Sequence, residues 1–306
     1  MDLPPVVRIE PAASCNLKCL HCPTGLGEAP KGLMNMEVFS KVLEELKIYG
    51  DQVNTVVLYH GGEPLLNRNL EKMIVSVRET RVGKVKIVTN GKLLTSENSE
   101  MIVRSGLNEI EISLDSSGPN ESDLVRRRSN SLDVIKKVKY LSECVSKSGS
   151  SLKITIATVQ FVDDYEITEL AKLTTSPHPS WLTDAFKNIH IKSTWGVQWP
   201  GGLPIESTTA FHSPLIEPPK SCSLLDETIT VRSNGDIVVC CYDLVGFSNL
   251  GNVKISPLST IWNSEKYETF RTNFRNANFP EPCKSCAVVT GPRYLSRAKL
   301  TTLGSL

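Results

Sequence analysis

Cys15, Cys19 and Cys22 stand at C-x3-C-x2-C spacing directly after the strand-like run Val6-Val7-Arg8-Ile9. Three thiolates this close can ligate three irons of a [4Fe–4S] cube and leave the fourth iron free for another ligand. Electron-transfer clusters and closed zinc sites both use four protein ligands, so a set of three points to a reactive centre. Taken alone, the triplet also permits a zinc knuckle. A second set follows far downstream. Cys222 and Cys240 flank Asn234-Gly235, a two-residue turn signal between Thr228-Ile229-Thr230-Val231 and Ile237-Val238-Val239, and Cys283-Lys284-Ser285-Cys286 supplies C-x2-C. Four thiolates from a hairpin and a later loop can close around one metal, and zinc ribbons are built this way.

The elements that must position these residues alternate. Strands are predicted over 6–12, 55–60, 84–89, 109–114, 153–160 and 188–194, each rich in Val, Ile or Thr, with helices over 35–49, 67–80, 95–105, 130–147 and 163–174 between them. Asn35 is placed to cap the first helix, and a further helix is expected from Leu258 to Phe274. Alternation of this kind makes a parallel α/β sheet, and periodicity leaves open whether it is flat or curled. Ligands bind such sheets at the carboxyl ends of the strands. That is where the polar signals fall: the cysteine triplet after the first strand, Gly61 to Pro64 after the second, Asn90-Gly91 after the third, and Ser113 and Asp115 closing the fourth.

In these two features together, the triplet and Tyr59-His60-Gly61-Gly62-Glu63-Pro64, the chain resembles the radical S-adenosylmethionine (SAM) enzymes. The resemblance implies a partial (β/α)6 TIM-like barrel. It implies that the first cluster binds SAM, that Gly61, Gly62, Glu63 and Pro64 hold its amino group, and that Asn90, Ser113 and Asp115 reach its ribose and carboxylate. Arg127, among three adjacent arginines, is expected to pair with that carboxylate as a bidentate fork. His21 occupies the position of an aromatic residue beside adenine. Substitution of Glu63 or Gly62 is then expected to weaken SAM binding and spare the cluster. The stretch from Asn234 through Cys240-Cys241-Tyr242-Asp243 to Ile261-Trp262-Asn263-Ser264 resembles the SPASM/twitch extension of the same enzymes. It implies a small C-terminal cysteine-rich α+β domain with one auxiliary [4Fe–4S] cluster on Cys222, Cys240, Cys283 and Cys286. Cys241, beside a ligand, is expected either to replace Cys240 on the metal or to face the cavity as a hydrogen-atom donor. Cys144, on a helix stripe with Val134, Val138 and Leu141, reads as an inert, half-buried side chain.

At 306 residues, 40% hydrophobic and 22% charged, the chain has the make-up of an enzyme with one large core and a smaller appendage. The expected division is a barrel over 1–200, a linker or active-site loop over 201–219, the auxiliary-cluster domain over 220–290, and a tail over 291–306. A net charge of +1 offers no footprint for nucleic acid, and no apolar run is long enough to span a membrane. The start of the chain lacks a basic region followed by an apolar run, so a cytoplasmic location is expected, with cysteines serving metals and not disulfides. The resemblance implies reductive cleavage of SAM to a 5′-deoxyadenosyl radical that takes hydrogen from an unactivated carbon. The expected substrate is a peptide that is oxidised, cross-linked, cleaved or epimerised. The alternative is dehydrogenation or epimerisation of a small sugar or aminocyclitol, and a non-catalytic metal scaffold is the third reading. Expected partners are flavodoxin or ferredoxin as electron donor and a separate peptide-binding protein, since few residues precede Cys15.

Overall fold

The structure, a computed structural model, describes residues 2–163 and 176–305. Six strands, β1 (Val6–Ile9), β2 (Thr55–Leu58), β3 (Lys84–Thr89), β4 (Glu109–Ser113), β5 (Lys153–Gln160) and β6 (His190–Trp195), lie parallel in chain order. Helices α1 (Met36–Tyr49), α2 (Leu70–Arg78), α3 (Ser96–Arg104), α4 (Pro119–Val125) and α5 (Ser131–Ser148) connect the first five. Asn35 caps α1 as expected, its side chain accepting from Val38 N at 2.9 Å. The helix expected over 163–174 lies, apart from Asp163, outside the described residues, and a short α6 (Ser180–Ala185) precedes β6.

The helices pack on one face of the sheet. Alternate residues of the strands, Val7 and Ile9, Val56 and Leu58, Val85 and Ile87, Ile110 and Ile112, Ile156, and Ile191, are buried in one core with Phe39, Leu46, Ile74, Ile102 and Val138 from the helices. The intervening residues, Arg8, Val57, Lys86, Val88, Glu111, Ser113, Ala157, Val159, Lys192 and Thr194, line a cavity of about 510 Å³ on the other face. A closed barrel fills this space with branched apolar side chains. Here β6 pairs only with β5 among the described residues, and the lumen is left open to a ligand.

The sheet continues beyond β1 in the other direction. After β7 (Thr209–His212), strand β8 (Thr228–Val231) runs parallel to β1, with Arg8 opposite Thr230. β9 (Asp236–Val238) and β10 (Gly251–Asn252) follow it antiparallel, giving nine strands in the order β10-β9-β8-β1-β2-β3-β4-β5-β6. The helix expected over 258–274 is two, α7 (Leu258–Trp262) and α8 (Glu265–Arg275). The break comes where Ser264 caps the second, its Oγ accepting from Tyr267 N. The C-terminal tail forms β11 (Arg293–Leu295), paired with β7, and α9 (Arg297–Ser305). Leu295 and Leu300 pack with Leu20, Val125 and Phe161 in a small separate core against the first cysteine loop.

Candidate active site

The segment carrying Cys15, Cys19 and Cys22 leaves the end of β1 and is pinned on two sides. Lys18–Cys19 forms a two-residue antiparallel ladder with Arg126–Arg127 at the end of α4, and Leu20 N donates to Val125 O at 3.0 Å. On the other side Glu63 N donates to Ser14 O at 2.9 Å. Two glycines allow this approach: a Cβ on Gly62 would stand 2.3 Å from Ser14 O, and one on Gly25 2.4 Å from Cys19 O. All three cysteines line the cavity. Burial pushes the Cys19 thiol up to about 12 against the partial relief given by Arg126. Metal binding here must therefore displace protons, as it does wherever thiolates become ligands.

The residues expected around SAM converge on the same cavity, with two changes. Gly61, Gly62, Glu63, Asn90, Ser113, Asp115 and His21 line it. Pro64 opens a single helical turn behind them. Arg127 does not line it: its guanidinium donates to the Leu303 carbonyl of α9. Arg126 takes the inward place, with Nη1 2.5 Å from Asp115 Oδ2 and the side chain buried. Successive residues of an extended segment point to opposite sides, so one arginine of the pair had to face away. Glu63 is the second change. It is buried, and its oxygens accept from Leu65 N at 3.1 Å, Thr89 Oγ1 at 2.8 Å and Asn90 N at 2.8 Å. The carboxylate ties the end of β2 to the end of β3, and the backbone of Gly61 and Gly62, which borders the cavity, is left to meet a ligand.

Asp115 organises the rim opposite. It accepts from Val159 N at 3.0 Å and from Arg126, and its Oδ2 lies 3.4 Å from His21 Nε2. Burial lowers the His21 pKa despite Asp115, which keeps the ring neutral. The ring stands 5.7 Å from that of Phe161. Asn90 bonds Asn16 Oδ1 at 2.7 Å, next to Cys15.

The second thiol set surrounds a separate apolar hollow. Cys222, Cys240, Cys283 and Cys286 line it with Leu225, Val239 and Phe274, whereas Cys241 lines the large cavity. Cys240 and Cys241 thus face different compartments, and Tyr242 borders both. Burial pushes Cys283 up to about 12, aided by Cys286, and raises Cys240. It also raises Cys241, against the pull of Arg8, so this thiol keeps its proton. Among the described residues no three His, Cys, Asp or Glu side chains converge as a single chelated ion requires. Cys144 is half-buried on α5, away from either set.

Four residues to which the sequence assigned no specific site role, Glu10, His60, Trp199 and Asp243, hold the site together. Glu10 accepts from Gly61 N at 3.0 Å and from Ser233 N at 2.9 Å, joining the glycine loop to the β8–β9 turn. His60 Nε2 lies 3.3 Å from Asp243 O, and Trp199 meets Tyr242 edge-on at 4.8 Å over the cavity. Asp243, wholly buried, accepts from Gly246 N, Phe247 N, Ser248 N and Ser248 Oγ at 2.6–2.9 Å. It fixes the loop that follows the paired cysteines. Asp243→Ala strands those buried donors and is expected to cost on the order of 3 kcal/mol, measured as a lower urea midpoint with an unchanged slope. Cys-Tyr-Asp after a strand followed by Gly, Phe and Ser was the available signal.

Comparison with known proteins agrees with this geometry. A family described as the radical SAM superfamily matches residues 9–174, and an iron–sulfur cluster-binding domain, SPASM, matches residues 222–287. GTP 3′,8-cyclase of Desulforamulus reducens is 26% identical over 172 residues, 55% of this chain and 51% of that protein. The chain thus spans about half the length of such curated relatives. The fold is similar to BtrN solved with AdoMet and 2-DOIA (TM-score 0.58, 17% identity, 95% of this chain and 94% of that one). It is also similar to Streptococcus suis SuiB bound to its precursor peptide SuiA (TM-score 0.58, 18% identity, 94% and 70%). No helix among the described residues is long and apolar enough to cross a membrane. With a three-thiol loop at the mouth of a partial barrel and a four-thiol set beside it, the chain belongs to the radical SAM superfamily, enzymes that use SAM and [4Fe–4S] clusters, and carries a SPASM domain.

Proposed function

We propose that this enzyme inverts a carbon centre of a peptide, with Cys241 returning a hydrogen atom to the substrate. The placement of adjacent cysteines in separate compartments carries the reading: Cys240 sits with the second metal-binding set and Cys241 opens into the cavity that the first set borders. Cys15, Cys19 and Cys22 would hold the SAM-binding cluster, and Cys222, Cys240, Cys283 and Cys286 the auxiliary one. When bound, the first cluster and SAM supply a carbon radical able to take hydrogen from an unactivated C–H bond.

The chain's own residues do the rest. Backbone at Gly61 and Gly62 receives the SAM ammonium. Arg126, in place of Arg127, meets its carboxylate, with Asp115 keeping the guanidinium aimed. Asn90, Ser113 and His21 line the remainder of that subsite. Trp199 and Tyr242 cover the cavity and keep water from a substrate radical. The Cys241 S–H bond is weak, so homolysis toward a carbon radical runs downhill. It forms a new C–H bond on the side facing Cys241 and leaves a sulfur radical there. One electron and one proton restore the thiol. Reduced flavodoxin or ferredoxin is the source of electrons, and a separate binding protein presents the peptide.

Product formed in deuterium oxide is expected to carry one solvent deuteron at the inverted carbon, read by mass spectrometry, because the thiol exchanges with water and the abstracted hydrogen does not. Inverted product free of deuterium rules out return from Cys241. A small carbohydrate-like metabolite is the second reading, supported by the size match to BtrN, of which the chain covers 94%. A short precursor-peptide gene beside this one favours the peptide, and aminosugar genes favour the metabolite.

A further inference from the structure

The lumen of the barrel carries an excess of positive charge that the binding of SAM, as placed above, does not use. Arg8 of β1, Val57 of β2 and Lys86 of β3 lie in direct register and all face the cavity. Arg8 and Lys86 are therefore two strand spacings apart, about 10 Å at Cα, within reach of one small group through their long side chains. Lys86 Nζ is 2.7 Å from Glu111 Oε2, and Lys192 Nζ is 3.9 Å from the same oxygen. One carboxylate thus serves two ammonium groups. Arg8 makes no ion pair among the described residues. Its Nη1 donates to Tyr59 O at 3.2 Å, and its Nε is buried without a partner. On this strand face Arg8, Lys86 and Lys192 stand with one carboxylate, Glu111, and the buried Arg8 Nε has no partner, an arrangement that desolvation penalises unless a further anion joins it.

We propose that the cavity floor is an oxyanion subsite, in which Arg8 and Lys86 hold a carboxylate or phosphate group of the substrate and Glu111 keeps Lys86 and Lys192 inward. A guanidinium with free donors and an ammonium together suit the planar or tetrahedral oxygens of such a group. Arg8 and Cys241 line the same cavity. An anion anchored there brings neighbouring substrate carbons toward the sulfur. The assignment deepens the function proposed above and rests on the reading of this cavity as the substrate site.

The test uses reconstituted holoenzyme saturated with SAM, so that the SAM carboxylate site is filled, and titrates inorganic phosphate or glutarate by calorimetry. At least one probe is expected to bind, more weakly as salt is raised. Arg8→Gln and Lys86→Met are each expected to weaken it roughly tenfold or more. Glu111→Gln, which removes the competing anion, is expected to tighten it. Lys192→Met alters a half-exposed side chain, is not expected to disturb folding, and should also weaken binding. Phosphate alone binding assigns a phosphorylated group, and glutarate alone a carboxylate. Failure of both probes, or affinities that Arg8→Gln and Lys192→Met leave unchanged, overturns the proposal. The reading beneath it is tested separately, by release of 5′-deoxyadenosine from the unaltered enzyme with a reductant. Loss of that activity alongside intact anion binding sinks the reading and not the subsite.

Discussion

Cys240→Ala is expected to lose about four of the irons that the reconstituted enzyme holds, while Cys241→Ala keeps them all. The two residues are chain neighbours of the same type, so composition alone would predict similar outcomes. Geometry separates them: Cys240 borders the hollow shared with Cys222, Cys283 and Cys286, and Cys241 borders the cavity shared with Cys15, Cys19 and Cys22. Iron assay and the charge-transfer absorption of the clusters read the difference directly. Cys241→Ala should still cleave SAM with substrate present, and should stall or give dehydrogenated product in place of the epimer. If Cys241→Ala is the variant that loses iron, the compartments are assigned the wrong way round and the hydrogen-return mechanism falls with them.

Gly62→Val is the second large effect expected. It is predicted to abolish assembly of the first cluster, leaving about four irons on the second, and not merely to weaken SAM binding. A Cβ at residue 62 would lie 2.3 Å from Ser14 O, 2.4 Å from Ala12 O and 2.7 Å from Ala13 C, all backbone. None of these atoms can swing aside as the tip of a side chain can, so the whole segment leading to Cys15 must move. Overpacking of this kind costs about 1–3 kcal/mol, which a thermal melt of the apoprotein should show. Glu63→Gln is the informative contrast. It keeps the shape of the side chain and turns one accepting oxygen into a donor that faces Leu65 N and Thr89 Oγ1 or Asn90 N. SAM affinity should fall in that variant with the iron retained. Full iron content in Gly62→Val would mean that the glycine loop and the cysteine loop are not packed as described.

The barrel strands were legible because apolar residues alternate along them: Val56 and Leu58, Val85 and Ile87, Ile110 and Ile112 all bury toward the helices. The same alternation hid the character of the lumen. Lys86, Glu111 and Lys192 sit at the alternate positions, a pattern that a solvent-facing strand side would share, and they face a cavity because a curled sheet encloses its second face. Spacing grouped the cysteines into two sets, and the structure lines a separate hollow with each. Choices between neighbours were not legible. Arg126 against Arg127, and Cys240 against Cys241, turn on which way each side chain points, and that is set for the arginines by Lys18–Cys19, distant in sequence, and for the cysteines by the turn that leads into the Asp243 loop. The tail was illegible for another reason. Its helix carries Thr301, Thr302 and Gly304 with few apolar positions, and it is held by Leu300 in the small core and by Arg297, whose guanidinium lies 3.0 Å from Asp163 and 3.2 Å from Glu121.

Glu10 has a consequence for the order in which the site comes together. One carboxylate receives Gly61 N, which follows β2, and Ser233 N, 223 positions after Glu10 itself. The glycine loop cannot settle into its final shape until the β8–β9 turn has arrived, since until then half of the bridge is missing. A nascent chain released or truncated before that turn would carry all three cysteines of the first set on an unfinished floor. The C-terminal domain is thus a template for the barrel's mouth as well as a holder of metal. Transplanting the barrel without it would yield a fold whose first centre is the part that fails.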